Sequence, residues 1–181
     1  MRIVIDGNIG SGKTTQLDLL EKIGYSVKRE PIAQWPLDLY YSDPERWGFL
    51  FQIIILQTLV PNEETTIYER SPISSRDVFW KTMKKTDIED EAYRKQFDIQ
   101  AWLPEFYIFI DKGPDNCFNQ IKKRNQEGDS KISLDYLKEL DSNYNLMFKD
   151  LECKKIKVDG NDTIEHIHNK IVNILKDEIK V

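Results

Sequence analysis

The chain has 181 residues, 40% of them hydrophobic and 31% charged, with a formal net charge of -5. That length supports one well-cored domain, expected to span residues 1–181. An acidic surface gives no general attraction to a phosphate backbone, which argues against nucleic acid as a partner.

The first apolar run, "RIVID" (Arg2–Asp6), reads as a strand, and a helix to about Ile23 follows it after a short loop. Met1 leads almost directly into that strand, which suggests no signal or transit peptide. The loop, "GNIGSGKT" (Gly7, Asn8, Ile9, Gly10, Ser11, Gly12, Lys13, Thr14), matches G-x-x-x-x-G-K-[ST] between a strand and a helix. Its glycines let backbone N–H groups approach phosphates, and the helix N-terminus favours negative charge. Lys13 is placed to reach β- and γ-phosphates, and the Thr14 hydroxyl to take a Mg²⁺ position beside Thr15. The loop implies ATP binding and a P-loop NTPase-type fold, but kinases, GTPases and motors all carry it.

The second strand, "YSVKRE" (Tyr25–Glu30), is closed by Pro31. Ligands of open α/β sheets bind beyond the carboxyl ends of the strands. Glu30 there is either a general base for an attacking hydroxyl or a solvated residue before a turn. Next comes a helix holding "FLFQIIILQTLV" (Phe49–Val60), apolar nearly all round and so expected to be buried. This run is interrupted by Gln52 and Gln57 and is shorter than the ~20 residues that span a bilayer. A cytosolic or nuclear protein is the expectation. Gln52, Ile55 and Leu59 share one helical stripe. Gln52 either reads the polar edge of a heterocycle or bonds to a neighbouring loop.

The third strand, "TTIYER" (Thr65–Arg70), ends in Glu69 and Arg70 where GTPases and motors usually place Asp. Glu69 is a candidate Mg²⁺ ligand and Arg70 a partner for Glu30 and the reacting oxygen; the alternative is a plain helix cap at Ser71. The fourth strand is "EFYIFID" (Glu105–Asp111). Beyond it "QIKKRNQEGD" (Gln120–Asp129) carries Lys122 and Arg124 into the polar stretch Asn125–Lys131. That reads either as a lid, about residues 120–131, whose cations cover the transferring phosphoryl group, or as a basic helix end at a surface turn. "KKIKVD" (Lys154–Asp159) is a fifth strand, with an amphipathic helix from about Thr163. Strands alternating with helices imply a three-layer α/β fold with a parallel sheet covered on both faces. Cys117 and Cys153 read as buried small side chains, and His166 and His168 as surface residues.

Taken in order, "GNIGSGKTT", "REPIAQW", "YSDPERWGFLFQ", "ERSPISSRDVF" and "IKKRNQEGDSKISLDYL" resemble the deoxynucleoside kinase family, over roughly Arg2 to Leu151. That family includes deoxycytidine, deoxyguanosine and insect-type multisubstrate kinases and is related to herpesviral thymidine kinases. The resemblance implies a five-stranded parallel sheet, ATP with Mg²⁺, and a homodimer. It makes Glu30 the base for the 5′-hydroxyl, and places Trp35 beside the nucleoside and Tyr41 on the sugar 3′-hydroxyl. Gln52, after Phe51, becomes the amide that reads the base, Phe79 an aromatic stacked on it, and Asp129 or Glu127 the lid acid. Gln120 and Gln126 stand where the family lid carries arginines, which leaves Lys122 and Arg124. Leu59 and Ser75 match the positions of the family's polar Arg/Asp pair, and with Ile55 they make an apolar wall suited to a pyrimidine, thymine above cytosine.

The resulting expectation is ATP-dependent phosphorylation of a deoxynucleoside 5′-hydroxyl, a salvage reaction. One rival is a thymidylate-type monophosphate kinase, in which Arg70 or Arg76 would meet the acceptor's phosphate. Another is a regulatory P-loop switch, against which the absence of an Asp-terminated third strand argues.

Overall fold

Side chains alternate across the central strands, and each set finds its own layer of helices. The structure is a computed structural model whose description covers residues 1–126 and 128–179. Strands β1 (Arg2–Asp6), β2 (Val27–Lys28), β3 (Thr66–Glu69), β4 (Phe106–Asp111) and β5 (Lys154–Asp159) form one parallel sheet in the order β2-β3-β1-β4-β5. Ile3, Ile5, Ile67, Phe106, Ile108 and Ile110 face α1 (Lys13–Lys22) and α8 (Ile164–Glu178), meeting Leu17, Leu20, Ile167 and Ile171. Val4, Tyr68, Tyr107 and Phe109 face the other way.

That second layer is larger. α2 (Leu37–Ser42) and α3 (Pro44–Thr58) precede β3, while α4 (Pro72–Ser74), a π-helical turn at Ser75–Trp80 and α5 (Asp87–Gln100) follow it. α6 (Pro114–Arg124) and α7 (Leu134–Asp150) lie between β4 and β5. Thr86 caps α5 in a reciprocal box with Glu89, and Ser133 caps α7 through the Tyr136 N–H. Leu56, Tyr93, Phe97, Leu137, Leu140 and Tyr144 fill this side of the core. The expected three-layer α/β fold is present. Among the described residues, no helix is long and apolar enough to cross a membrane.

Several expectations need correction. β2 keeps only Val27 and Lys28 of the expected six-residue run, paired with Ile67 and Tyr68. Arg29 turns back to Asp18 and Glu21 on α1, and Glu30 leaves the ladder to meet Arg70. β3 and β4 likewise start one residue later than expected, and β3 stops at Glu69 because Arg70 adopts φ 65°. α3 is not buried all round: Gly48, Phe51, Gln52, Ile55 and Leu56 face inward, whereas Leu50 is 45% exposed. Cys117 is buried, but Cys153 is half-buried in the turn before β5. His166 is exposed, whereas His168 is half-buried because it lies one residue from the inward-facing Ile167.

The phosphate loop is locked against α6. Gly10 has φ 82°, and a Cβ there would lie 2.7 Å from the Cys117 carbonyl oxygen and 2.9 Å from Ile121. We expect Gly10→Ala to cost about 1–3 kcal/mol in strain. At about 2–4 °C per kcal/mol for a domain of this size, Tm should fall by several degrees. Calorimetry reads this directly, and an unchanged Tm would show that loop and helix separate freely.

Candidate active site

The carboxyl ends of β1, β2 and β3 bring together the loop, Glu30 and Arg70. Gly7 donates its N–H to Asp6 Oδ1 at 2.7 Å, and a Cβ on it would lie 2.6 Å from the Ile110 carbonyl oxygen. Asn8 ties the loop to α7 by donating from Nδ2 to the Leu137 carbonyl at 2.9 Å, while its Oδ1 accepts from Ile9 N–H. The Lys13 ammonium donates to the carbonyls of Gly7 at 3.1 Å and Asn8 at 3.0 Å. Burial, with Arg70 nearby, pulls its pKa down to about 8. Thr14 Oγ1 donates to Glu69 Oε1 at 2.9 Å, so a hydroxyl and a carboxylate stand side by side at the start of α1. Thr15 lies next to them and is exposed.

Arg70 is the hub. Its Nε lies 3.0 Å from Glu30 Oε1, its Nη1 donates to the Tyr144 hydroxyl at 2.6 Å, and its guanidinium sits 4.5 Å over the Phe79 ring. Tyr144 in turn donates to Asp6 Oδ1 at 2.9 Å, and Tyr107 to Asp6 Oδ2 at 2.8 Å. Because an ionised carboxylate only accepts, Tyr144 must give its proton to Asp6 and its lone pair to Arg70. Burial pushes the Glu30 carboxyl up to about 7, helped by Glu69 and Asp6 and opposed by Arg70 and Lys13. For Arg70 burial works against the charge, but Glu30, Tyr144 and Asp6 together raise its pKa.

Beside this cluster opens a cavity of about 470 Å³. Glu30, Trp35, Tyr41, Phe51, Gln52, Ile55, Leu59, Arg70, Ser75, Phe79 and Asp129 all line it. Phe51 stacks on Tyr40 at 4.4 Å and meets the edge of Trp35 at 6.1 Å. Trp35 is pinned by its Nε1 donating to Thr58 Oγ1 at 2.9 Å. The Gln52 amide oxygen accepts from Ser75 Oγ at 2.9 Å.

Arg124 reaches the cavity and grips Asp129 with two bonds, of 2.7 and 2.9 Å. Those bonds hold the Asp129 carboxyl below the usual carboxylate range. Tyr41 packs against Gly128 in the same segment. Lys122 is not brought to the cavity; its ammonium lies 4.2 Å over Phe118, while Lys131 lines the cavity. Glu127 lies outside the described residues. Arg76 is bidentate to Asp77 and stacked over Phe97, away from the cavity lining.

Sequence reasoning missed Asp6, Tyr107 and Tyr144. The spacing of Leu137, Leu140 and Tyr144 marks one face of a helix, but no sequence signal tells where a buried hydroxyl points. Chemically, the site joins a phosphate-loop motif, a carboxylate with raised pKa paired to a fixed arginine, and an aromatic cavity lined by the buried Gln52 amide. That combination suits transfer of a phosphoryl group to a hydroxyl on a flat heterocyclic nucleoside.

Comparison with known proteins agrees. The "Deoxynucleoside kinase" family model matches residues 3–180. Protein 029R of Invertebrate iridescent virus 3 is 31% identical over 186 residues, covering 96% of this chain and 95% of that protein. The thymidine kinase of Ictalurid herpesvirus 1 is 28% identical, covering 94% of this chain and 84% of that one. The fold matches a solved deoxyadenosine kinase from M. mycoides with dCMP and dCDP bound, at TM-score 0.83 and 22% identity, over 98% of this chain and 100% of that one. With a family model running from the first strand to the last helix, over a site of this composition, the chain belongs to the deoxynucleoside kinase family and is a phosphotransferase.

Proposed function

We propose that this kinase transfers the γ-phosphoryl group of ATP to the 5′-hydroxyl of a pyrimidine deoxynucleoside, with thymidine favoured. The observation that carries the reading is the Glu30–Arg70 pair, 3.0 Å apart, between the phosphate loop and the cavity. Glu30 accepts the proton of the attacking hydroxyl, and Arg70 holds that carboxylate in place and neutralises developing charge. Lys13 accompanies the β- and γ-phosphates. Arg124, on the lid side of the cavity, adds a cation over the transferring group.

Thr14 and Glu69 offer the hard oxygen donors that suit Mg²⁺, and their 2.9 Å contact fits one shared coordination shell. Mg²⁺ bound there would neutralise phosphate charge. The pyrimidine choice is supported by Ile55 and Leu59, both 8% exposed, which make the α3 wall beside Gln52 apolar. The uncovered stripe of α3, with Leu50 at its centre, supports the homodimer that the family likeness implies. A monophosphate acceptor is disfavoured because both arginines that the sequence offers it are engaged, Arg76 by Asp77 and Arg70 by Glu30 and Tyr144. A pure regulatory switch leaves the aromatic cavity without a purpose.

Three outcomes are expected. Glu30→Gln should lower kcat about 10²–10⁴-fold, the usual contribution of a general base, with ATP affinity nearly unchanged. The base works ionised, so kcat/KM should rise with pH through about 7 and be lost below it. This limb should vanish in the Gln variant, and near-full activity there would remove Glu30 from the chemistry. Glu69→Gln should raise the Mg²⁺ concentration for half-maximal rate, and an unmoved requirement would exclude Glu69 from the metal shell. Last, ADP release with ATP·Mg²⁺ should be fastest with thymidine among the four deoxynucleosides and absent with their monophosphates; turnover of monophosphates alone would overturn the assignment.

A further inference from the structure

Tyr93 on α5 is 0% exposed, with its ring stacked on Trp80 at 4.4 Å. Phosphoryl transfer makes no use of it, and it does not line the cavity. Its hydroxyl lies 3.1 Å from Ser75 Oγ, and Ser75 donates to Gln52 Oε1 at 2.9 Å. Ser75 opens the π-helical turn, a feature frequent at functional sites.

Counting protons fixes the direction of this chain. A serine hydroxyl has one proton. Ser75 spends it on Gln52 Oε1, so Ser75 Oγ accepts from Tyr93. The Tyr93 hydroxyl has no other partner among the described residues, and burial pushes its pKa up, so it remains a donor. Suppose the Gln52 amide turned over. Its Nε2 would donate to Ser75, and the three groups would then hold one proton more than they accept, so that either the Tyr93 or the Ser75 hydroxyl would be left without an acceptor among them. Leaving a buried donor unmatched is the costly case. The relay therefore keeps Oε1 turned toward Ser75 and leaves Nε2 as the group Gln52 offers to the cavity.

We propose that Tyr93 and Ser75 are positioning residues that set the hydrogen-bond polarity of Gln52, so that the cavity selects a base presenting a ring carbonyl to this amide over one presenting an amine. The inference rests on the reading of Gln52 as the base-facing amide. It makes specificity depend on a phenol that never touches substrate.

Tyr93→Phe keeps the ring and its stack on Trp80 and removes only the hydroxyl; Ser75→Ala removes the whole relay. Thymidine and deoxycytidine differ in carrying a carbonyl or an amine at the same ring position. Their dissociation constants by calorimetry, and kcat/KM with ATP·Mg²⁺, should be measured for the wild-type protein and both variants, with Tm as a control. The thymidine-to-deoxycytidine ratio should fall about tenfold in each variant, the scale of one hydrogen bond. The change should lie in KM rather than kcat. An unchanged ratio in a wild-type protein that binds both nucleosides, or an equal loss for both accompanied by a lower Tm, would overturn the relay and leave the kinase reading intact. Wild-type protein that binds neither nucleoside would overturn the base-facing reading of Gln52, and the relay with it.

Discussion

A guanidinium that is only 7% exposed needs partners for its charge and its donors, and the demands of Arg70 shape this site. Three segments answer them: Glu30 from beyond β2, Tyr144 from α7 and Phe79 from the π-helical turn. Asp6 completes the arrangement from below. Its carboxylate is saturated by Tyr107, Tyr144 and the Gly7 N–H, and it stands 4.0 Å from Arg70 with the Tyr144 hydroxyl bridging the two. Arg70 thus keeps its direct ion pair for Glu30, the proposed general base. The same hydrogen bond from Gly7 couples this cluster to the phosphate loop. Loss of one member would therefore be felt at both Glu30 and the loop.

Arg124, at the end of α6, is held by a weaker bond of the same kind. Arg124 and Asp129 pair bidentately, with side chains 34% and 8% exposed, and Gln126 N–H adds a third contact to the carboxylate. A partly exposed pair of this sort contributes on the order of 1 kcal/mol. Arg124 can exchange it for a phosphate oxygen at small cost, because a charge-assisted bond replaces a charge-assisted bond. Arg70, by contrast, is fixed. The site therefore pairs one fixed cation with one held by a weaker, partly exposed bond; in the proposed transfer the second is the one free to cover the phosphoryl group and then release it.

Much of this was legible from residue order. The phosphate loop announces itself because its function demands a contiguous pattern, and the strands around it because their side chains are apolar on both faces. Glu30, Gln52 and Arg70 were legible as candidates only; each alone had an ordinary structural reading, and their succession along the chain gave them weight. What stayed hidden is long-range. Asp6 meets Tyr144 across 138 residues and Tyr107 across 101. A tyrosine on the inner face of a helix looks like core until the fold shows what its hydroxyl meets. The short β2 and the open stripe of α3 were misjudged for a related reason: local propensity cannot say whether a neighbour exists to pair with or to cover an element.

The cavity wall shows why one amide can carry recognition here. Phe51 is stacked on Tyr40 and braced by Trp35, whose indole nitrogen is bonded to Thr58, and Thr58 is bonded back to the Ile55 carbonyl on the same helix. These rings give up little conformational freedom when a flat ligand arrives, since they are already held. Apolar area then supplies affinity for any planar base, while discrimination falls to polar atoms whose direction is fixed in advance. Buried polar groups that lack freedom to adapt reject a mismatched partner more strongly than any shape difference among similar heterocycles. On the proposed function, Gln52 is a side chain so placed. Its amide oxygen accepts from Ser75, and the Tyr93 hydroxyl lies 3.1 Å from that serine.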